Sequence, residues 1–187
     1  MLTVEREVSE LLVRAPRVDK VSFTGSTAAG RRIASICSDR IARVTLELGG
    51  KSPALILDDY DVGKAAETIA RFAPLMTGQV CSSLTRIVVS ERRQDDLVDA
   101  LAASFGRIRV GDPFEATSQM GPLAMARQRD RVEALIGQWQ AEGARLAAGG
   151  GRPAHLNRGY YIEPPSPSMS TMARPSSVRR SSAPSSA

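Results

Sequence analysis

Val4, Val8, Leu11, Leu12 and Ala15 recur at the spacing of one helix face, and Pro16 stops that helix before an apolar run at residues 18–23 that reads as a strand. Gly25-Ser26-Thr27-Ala28-Ala29-Gly30 follows and opens a second helix through Ile33, Ala34 and Ile36, with Ser26 or Thr27 available as its cap. Two β-like runs come next, at 43–48 and 53–57, separated by Gly49-Gly50-Lys51. Asp58, Asp59 and Asp61 introduce an alanine-rich helix that reaches about residue 73, ahead of Pro74. Beyond Gly78 and Cys81, residues 86–90 read as a buried strand and residues 94–105 as an amphipathic helix with Leu97, Val98, Leu101 and Ala102 inward. Residues 110–122 form a loop punctuated by Gly and Pro, and residues 124–147 a long helix ended by Gly149-Gly150-Gly151. A last short strand is expected at 160–162. Strands alternating with helices predict α/β layers around a mainly parallel sheet.

Composition narrows this picture. The 187 residues are 42% hydrophobic, enough for one or at most two domains with a sizeable core. Charges interrupt every apolar stretch before the ~18 residues that a membrane span needs, and the N-terminal residues lack the apolar core of a signal peptide. Cys37, Cys81 and the single His155 provide neither a disulfide framework nor a zinc cluster, so a reducing, cytoplasmic setting and no metal are expected. Of the net charge of +5, three charges come from Arg174, Arg179 and Arg180, in a final stretch without acids. The body is therefore nearly neutral, which argues against nucleic-acid binding.

A few residues could carry chemistry. Gly25 and Gly30 flank a strand-to-helix turn where backbone N–H groups can approach an anion, or where missing side chains simply permit a tight turn and close helix packing. The turn is not a P-loop, because Arg31 stands where the lysine belongs. Glu47 ends a largely apolar strand, where partial desolvation would raise its pKa and suit it to act as a base; the alternative is a carboxylate paired with Lys51 or an arginine. Cys81 sits in a connecting loop as an exposed candidate nucleophile, or else as an inert filler, whereas Cys37 lies in a helical apolar pattern and reads as packing. His155, in a Gly/Pro-rich loop, reads as a solvated side chain rather than a partner of Cys81.

In order and phrasing these segments resemble one family. Phe23-Thr24-Gly25-Ser26-Thr27 with Gly30, then Leu46-Glu47-Leu48-Gly49-Gly50-Lys51-Ser52-Pro53, then Gly78-Gln79-Val80-Cys81 are similar to successive signatures of the NAD(P)-dependent aldehyde dehydrogenase superfamily. The 34-position separation of Glu47 and Cys81 is also the family's usual one. The likeness runs from about Glu5 through Pro164, including Gly121-Pro122-Leu123 and Gly159-Tyr160-Tyr161-Ile162-Glu163-Pro164. It implies part of a Rossmann-like cofactor domain over 1–48 and an incomplete α/β catalytic domain over 49–164. It also implies NAD or NADP as cofactor and an aldehyde as substrate. By the same resemblance Cys81 is the nucleophile and Glu47 the base that activates water against a thioester. Gly25, Ser26 and Gly30 would border the cofactor, and Leu48 and Gly49 would contact the nicotinamide. Met76-Thr77 stand where the family commonly has Asn-Gln, and Ser82-Ser83 follow the cysteine; both departures bear on the substrate pocket.

Relative to that family the chain is expected to be an internal piece, truncated at both ends. It would lack the upstream oxyanion-hole asparagine and the residues that grip the adenosine ribose. Downstream it would lack a second glutamate and the strand used for oligomerisation. Residues 165–187, with nine serines and four prolines, are expected to be disordered. Codons synonymous with 169–187, read two bases later, can spell Val-Asp-Asn-Gly-Thr-Thr-Ile-Val-Arg-Glu-Glu-Ile-Phe-Gly-Pro-Val-Leu-Ser, which resembles the family's next motif, so a frameshift near Pro165 is expected. Weak or no turnover by the isolated chain follows, with a tendency to associate through uncovered edges. Two other readings stand beside the oxidoreductase: a non-catalytic product that completes a partner's sheet, and a hydrolase that uses Cys81 and Glu47 without a nicotinamide.

Overall fold

Strand β1 (Lys20–Gly25) lies parallel to β2 (Arg43–Leu48) in the computed structural model, which describes residues 3–167 as two units, 3–49 and 50–167. Helix α1 (Arg6–Arg14) precedes β1, and α2 (Thr27–Asp39) crosses between the two strands. Pro16 ends α1 as expected, and the Ser26 side chain caps α2 by accepting from the Ala29 N–H at 3.2 Å. A Cβ on Gly30 would come within 2.7 Å of Leu48 Cδ2, so the bare backbone at this position lets α2 lie against β2. Ile36 and Cys37 are buried, confirming Cys37 as packing. Glu10 accepts from both Arg14 and Arg32, tying α1 to α2. The apolar face of α1 nevertheless buries none of its residues.

The second unit repeats the parallel arrangement with a fuller core. β3 (Ser52–Leu55) pairs parallel with β4 (Leu84–Val88), and between them Asp61 caps α3 (Val62–Phe72) by accepting from the Lys64 N–H at 2.8 Å. Ala65, Ala66, Ile69 and Ala70 recur at helical spacing and pack against Leu97, Leu101 and Phe105 of α4 (Gln94–Gly106), with Ile56 completing the cluster. A second cluster joins Val110, Met120 and Leu123 to Ile136 of α5 (Ala126–Ala141) and to Ile162.

The structure departs from the sequence reading in four places. Among the described residues the strands form three two-stranded sheets instead of one mainly parallel sheet. Helix α5 ends at Ala141, because Gly143 adopts φ +93° and reverses the chain into β5 (Leu146–Ala148). Residues 160–162 form no strand; the Tyr160 carbonyl accepts from the Leu123 N–H instead, while Ile162 fills the second cluster. The expected disorder does not begin at Pro165, since β6 (Ser166–Pro167) pairs antiparallel with β5 and Ser166 is buried. The remainder of that expectation, residues 168–187, lies outside the described residues.

Candidate functional site

The first group of candidates gathers where β1 and β2 end. Register pairs Gly25 with Leu48 and Thr24 with Glu47, and both strands run toward the N-terminus of α2, the end of a parallel pair at which α/β folds bind ligands. Gly25 is buried beneath the Phe23 ring, Ser26 caps α2 and Gly30 packs on Leu48 and Leu46. The structure thus gives Gly30 a packing role through its missing side chain. Glu47 is exposed, contrary to the expected desolvation. The alternation of β2 explains it: Leu46 and Leu48 turn toward α2, which puts Glu47 on the opposite face. Within its own unit Glu47 forms no ion pair among the described residues.

The second group surrounds Cys81. A short 3-10 turn at Leu75–Gly78 follows α3 and carries the chain into an exposed loop where Cys81 is a free, exposed thiol, as its sequence setting predicts. Met76, Thr77 and Gly78 successively adopt φ of 48°, 59° and 72°. The left-handed region costs a non-glycine residue ~1–2 kcal/mol, so Met76 and the β-branched Thr77 hold the turn against backbone preference. The Thr77 hydroxyl is shared between the carbonyls of Gly121 and Pro122, at 3.1 and 3.2 Å. Gln79 accepts from the Ala124 N–H at 3.1 Å and donates to the Met76 carbonyl at 3.0 Å. The sequence links Thr77 only to the substrate pocket and Gln79 only to the Gly78-Gln79-Val80-Cys81 motif; neither hydrogen bond is signalled there.

The backbone of Gly50 lies against this loop, close enough that a Cβ there would sit 3.1 Å from the Cys81 carbonyl oxygen. The Cys81 N–H donates no hydrogen bond among the described residues, which leaves it free for a ligand oxygen. A cavity of about 230 Å3 lies beside the loop, lined by Phe72, Leu75, Val80, Ser82, Ser83 and Leu84. Its wall is largely apolar, but Ser83 Oγ is buried there without a partner among the described residues. Nearby Lys51 is half-buried, and burial lowers its pKa. A larger hollow of about 480 Å3 between α3 and α4 includes none of the candidate residues. His155 is exposed and its ring nitrogen bonds the Val110 carbonyl at 3.2 Å. Among the described residues no three His, Cys, Asp or Glu side chains cluster to hold a metal, and no helix is long and apolar enough to cross a membrane.

Comparison with known proteins places this geometry in context. The sequence profile of the Aldehyde dehydrogenase family matches residues 1–166. Chloroplastic betaine aldehyde dehydrogenase of Amaranthus hypochondriacus is 43% identical over 149 residues, covering 80% of this chain and 30% of the relative. Geranial dehydrogenase of Castellaniella defragrans is 42% identical over 160 residues, covering 86% of this chain and 33% of the relative. Among solved structures, a Mycobacterium tuberculosis aldehyde dehydrogenase complexed with NAD+ superposes with a TM-score of 0.80 at 41% identity, over 85% of this chain and 33% of that one. A Staphylococcus aureus betaine aldehyde dehydrogenase in complex with NAD+ gives a TM-score of 0.81 at 34% identity, over 84% and 32%. The chain spans about a third of the length of the relatives it matches.

Proposed function

This chain belongs to the aldehyde dehydrogenase family, and from that membership we propose that it carries the nucleophile and the base of an NAD(P)-dependent oxidation of an aldehyde to a carboxylic acid. The observation that carries the reading is the Cys81 loop: an exposed thiol and a free backbone N–H on a pinned turn, with Gly50 packed against its carbonyl.

The residues of the first unit fit a dinucleotide. The βα turn at Gly25 and Ser26 leads into α2, whose first N–H groups and positive end favour a pyrophosphate. Leu48 and Gly49, at the end of β2, would offer backbone contacts to the nicotinamide, and Gly30 acts by holding α2 close to that strand. When bound, this cofactor accepts the hydride. In our reading the Cys81 thiolate attacks the aldehyde carbon, and the oxyanion that forms is held in part by the Cys81 N–H. The substrate's apolar part rests in the cavity of Phe72, Leu75 and Val80. After oxidation a thioester remains on Cys81, and Glu47 takes a proton from the water that hydrolyses it. A reducing, cytoplasmic setting suits a free catalytic thiol.

The test uses the whole chain with an aldehyde and NAD+ or NADP+. Mass spectrometry is expected to find the acyl group on the Cys81 peptide of the Glu47→Gln variant, with an equivalent of reduced cofactor, and neither product in Cys81→Ala. Reduced cofactor formed at the same rate by Cys81→Ala would refute the assignment.

A further inference from the structure

Thr77 and Gln79 take no part in the chemistry above, yet among the described residues they supply the side-chain hydrogen bonds that run from the Cys81 loop to another segment of its unit. The loop needs such support. Three successive residues, Met76, Thr77 and Gly78, lie in the left-handed region, two of them with a Cβ that disfavours it. The turn's own backbone bonds, Thr77 N–H to the Pro74 carbonyl and Gln79 N–H to the Met76 carbonyl, are short-range and do not fix it in space. The segment on the far side is well anchored. Met120 and Leu123 are each 5% exposed within the second core cluster, the Met120 carbonyl accepts from the Gly111 N–H, and the Leu123 N–H donates to the Tyr160 carbonyl.

We propose that Thr77 and Gln79 are positioning residues, which latch the strained turn onto residues 121–124 and thereby set the direction of the Cys81 thiol and N–H. This rests on the reading of Cys81 as the nucleophile. A reacting group displaced by about 1 Å can lose on the order of 100-fold in rate, whereas simple exposure of a thiol is far less sensitive to direction. The latch should therefore govern acyl transfer, which needs the N–H and the sulfur together, more than alkylation, which needs the sulfur alone. It also accounts for Thr77 in a position where the family commonly has an amide: its hydroxyl faces the backbone of Gly121 and Pro122 and serves as a strut.

The experiment compares two reactions of Cys81 in the full chain. With 4-nitrophenyl acetate the sulfur attacks the ester carbonyl, the bond to the aryl oxygen breaks, and 4-nitrophenolate leaves while acetyl stays on Cys81 as a thioester. With iodoacetamide the same sulfur displaces iodide; buried Cys37 serves as the silent control. Thr77→Val is expected to slow acylation at least tenfold and to change alkylation less than twofold, with Thr77→Ser restoring the native ratio. Gln79→Leu provides a second variant and is expected to speed hydrogen exchange at the Ala124 amide while core amides of α4 stay protected. Acylation of the native chain that is indifferent to both variants would overturn the latch and leave the nucleophile standing. Absence of Cys81 acylation in a native chain that alkylates normally would overturn the nucleophile reading, and the latch's catalytic purpose with it.

Discussion

Helices α1 and α3 carry equally regular apolar stripes, yet only one of them is buried. In α3, Ala66 and Ile69 are 0% and 3% exposed, while in α1 Val8, Leu11 and Leu12 are 50%, 66% and 58% exposed. The contrast extends to the units that hold them. Residues 50–167 close two core clusters, whereas residues 3–49 bury little apolar side chain beyond Ile36 and Cys37. Periodicity therefore specifies a helix and its face, but the partner that covers the face is a separate, non-local matter. The candidate chemistry divides along the same line: Cys81 stands on the well-packed unit, Glu47 on the lightly packed one.

Substitutions can break or sharpen this comparison. The largest effect is expected from Leu97→Ala, which empties a side chain that is 1% exposed between α3 and α4. It should cost ~3 kcal/mol in urea unfolding, against less than about 0.5 kcal/mol for Leu11→Ala on α1. Equal losses would show that α1 is covered in solution. Removing the caps comes next: Ser26→Ala and Asp61→Ala each delete a side-chain acceptor and should each cost ~1 kcal/mol. In the lightly packed unit that loss should surface as faster local hydrogen exchange in α2, and in the other unit it should be absorbed into global unfolding.

The smallest effect concerns acid. Hydrogen bonds from Arg32 and Arg14 lower the Glu10 pKa to about 2. A carboxyl depressed in the folded state stabilises above its ordinary pKa near 4.5, and that contribution is lost as pH falls toward 2. Because this carboxylate is solvent-exposed, the change should be modest and weakened by salt. Glu10→Gln is expected to flatten the pH dependence of the α1–α2 signal between those values. The second unit has its own version, with Glu133 held below the usual carboxylate range by Arg152. Glu133→Gln should leave the first unit's profile unchanged.

What could be read in advance was local. The Gly25-Ser26 turn, the helix that starts after the Asp58–Asp61 stretch, the stop at Pro16, the exposure of Cys81 and the burial of Cys37 all depend on residues a few positions apart, and the structure shows each of them. Two of the failures were matters of distance along the chain and two of local backbone geometry. Strand partners are chosen across intervening helices, so α/β alternation suggested one sheet where the described strands form pairs. Gly143 alone interrupts a pattern that otherwise runs helically to residue 147, and its left-handed backbone outweighs the pattern. Glu47 was expected to be desolvated because its neighbours are apolar, but alternation along β2 turns them away from it. The Thr77 strut joins residues 44 and 45 positions apart, and nothing near Thr77 announces it.

The central proposal is that Glu47 activates the water that hydrolyses a thioester on Cys81. The most direct measurement is the hydrolysis of a preformed acetyl thioester on Cys81, followed by mass spectrometry in the native chain and in Glu47→Gln. General-base assistance is typically worth 100-fold or more, so the variant is expected to hold its acetyl group about 100 times longer than the native chain. Equal lifetimes in the two proteins would contradict the claim.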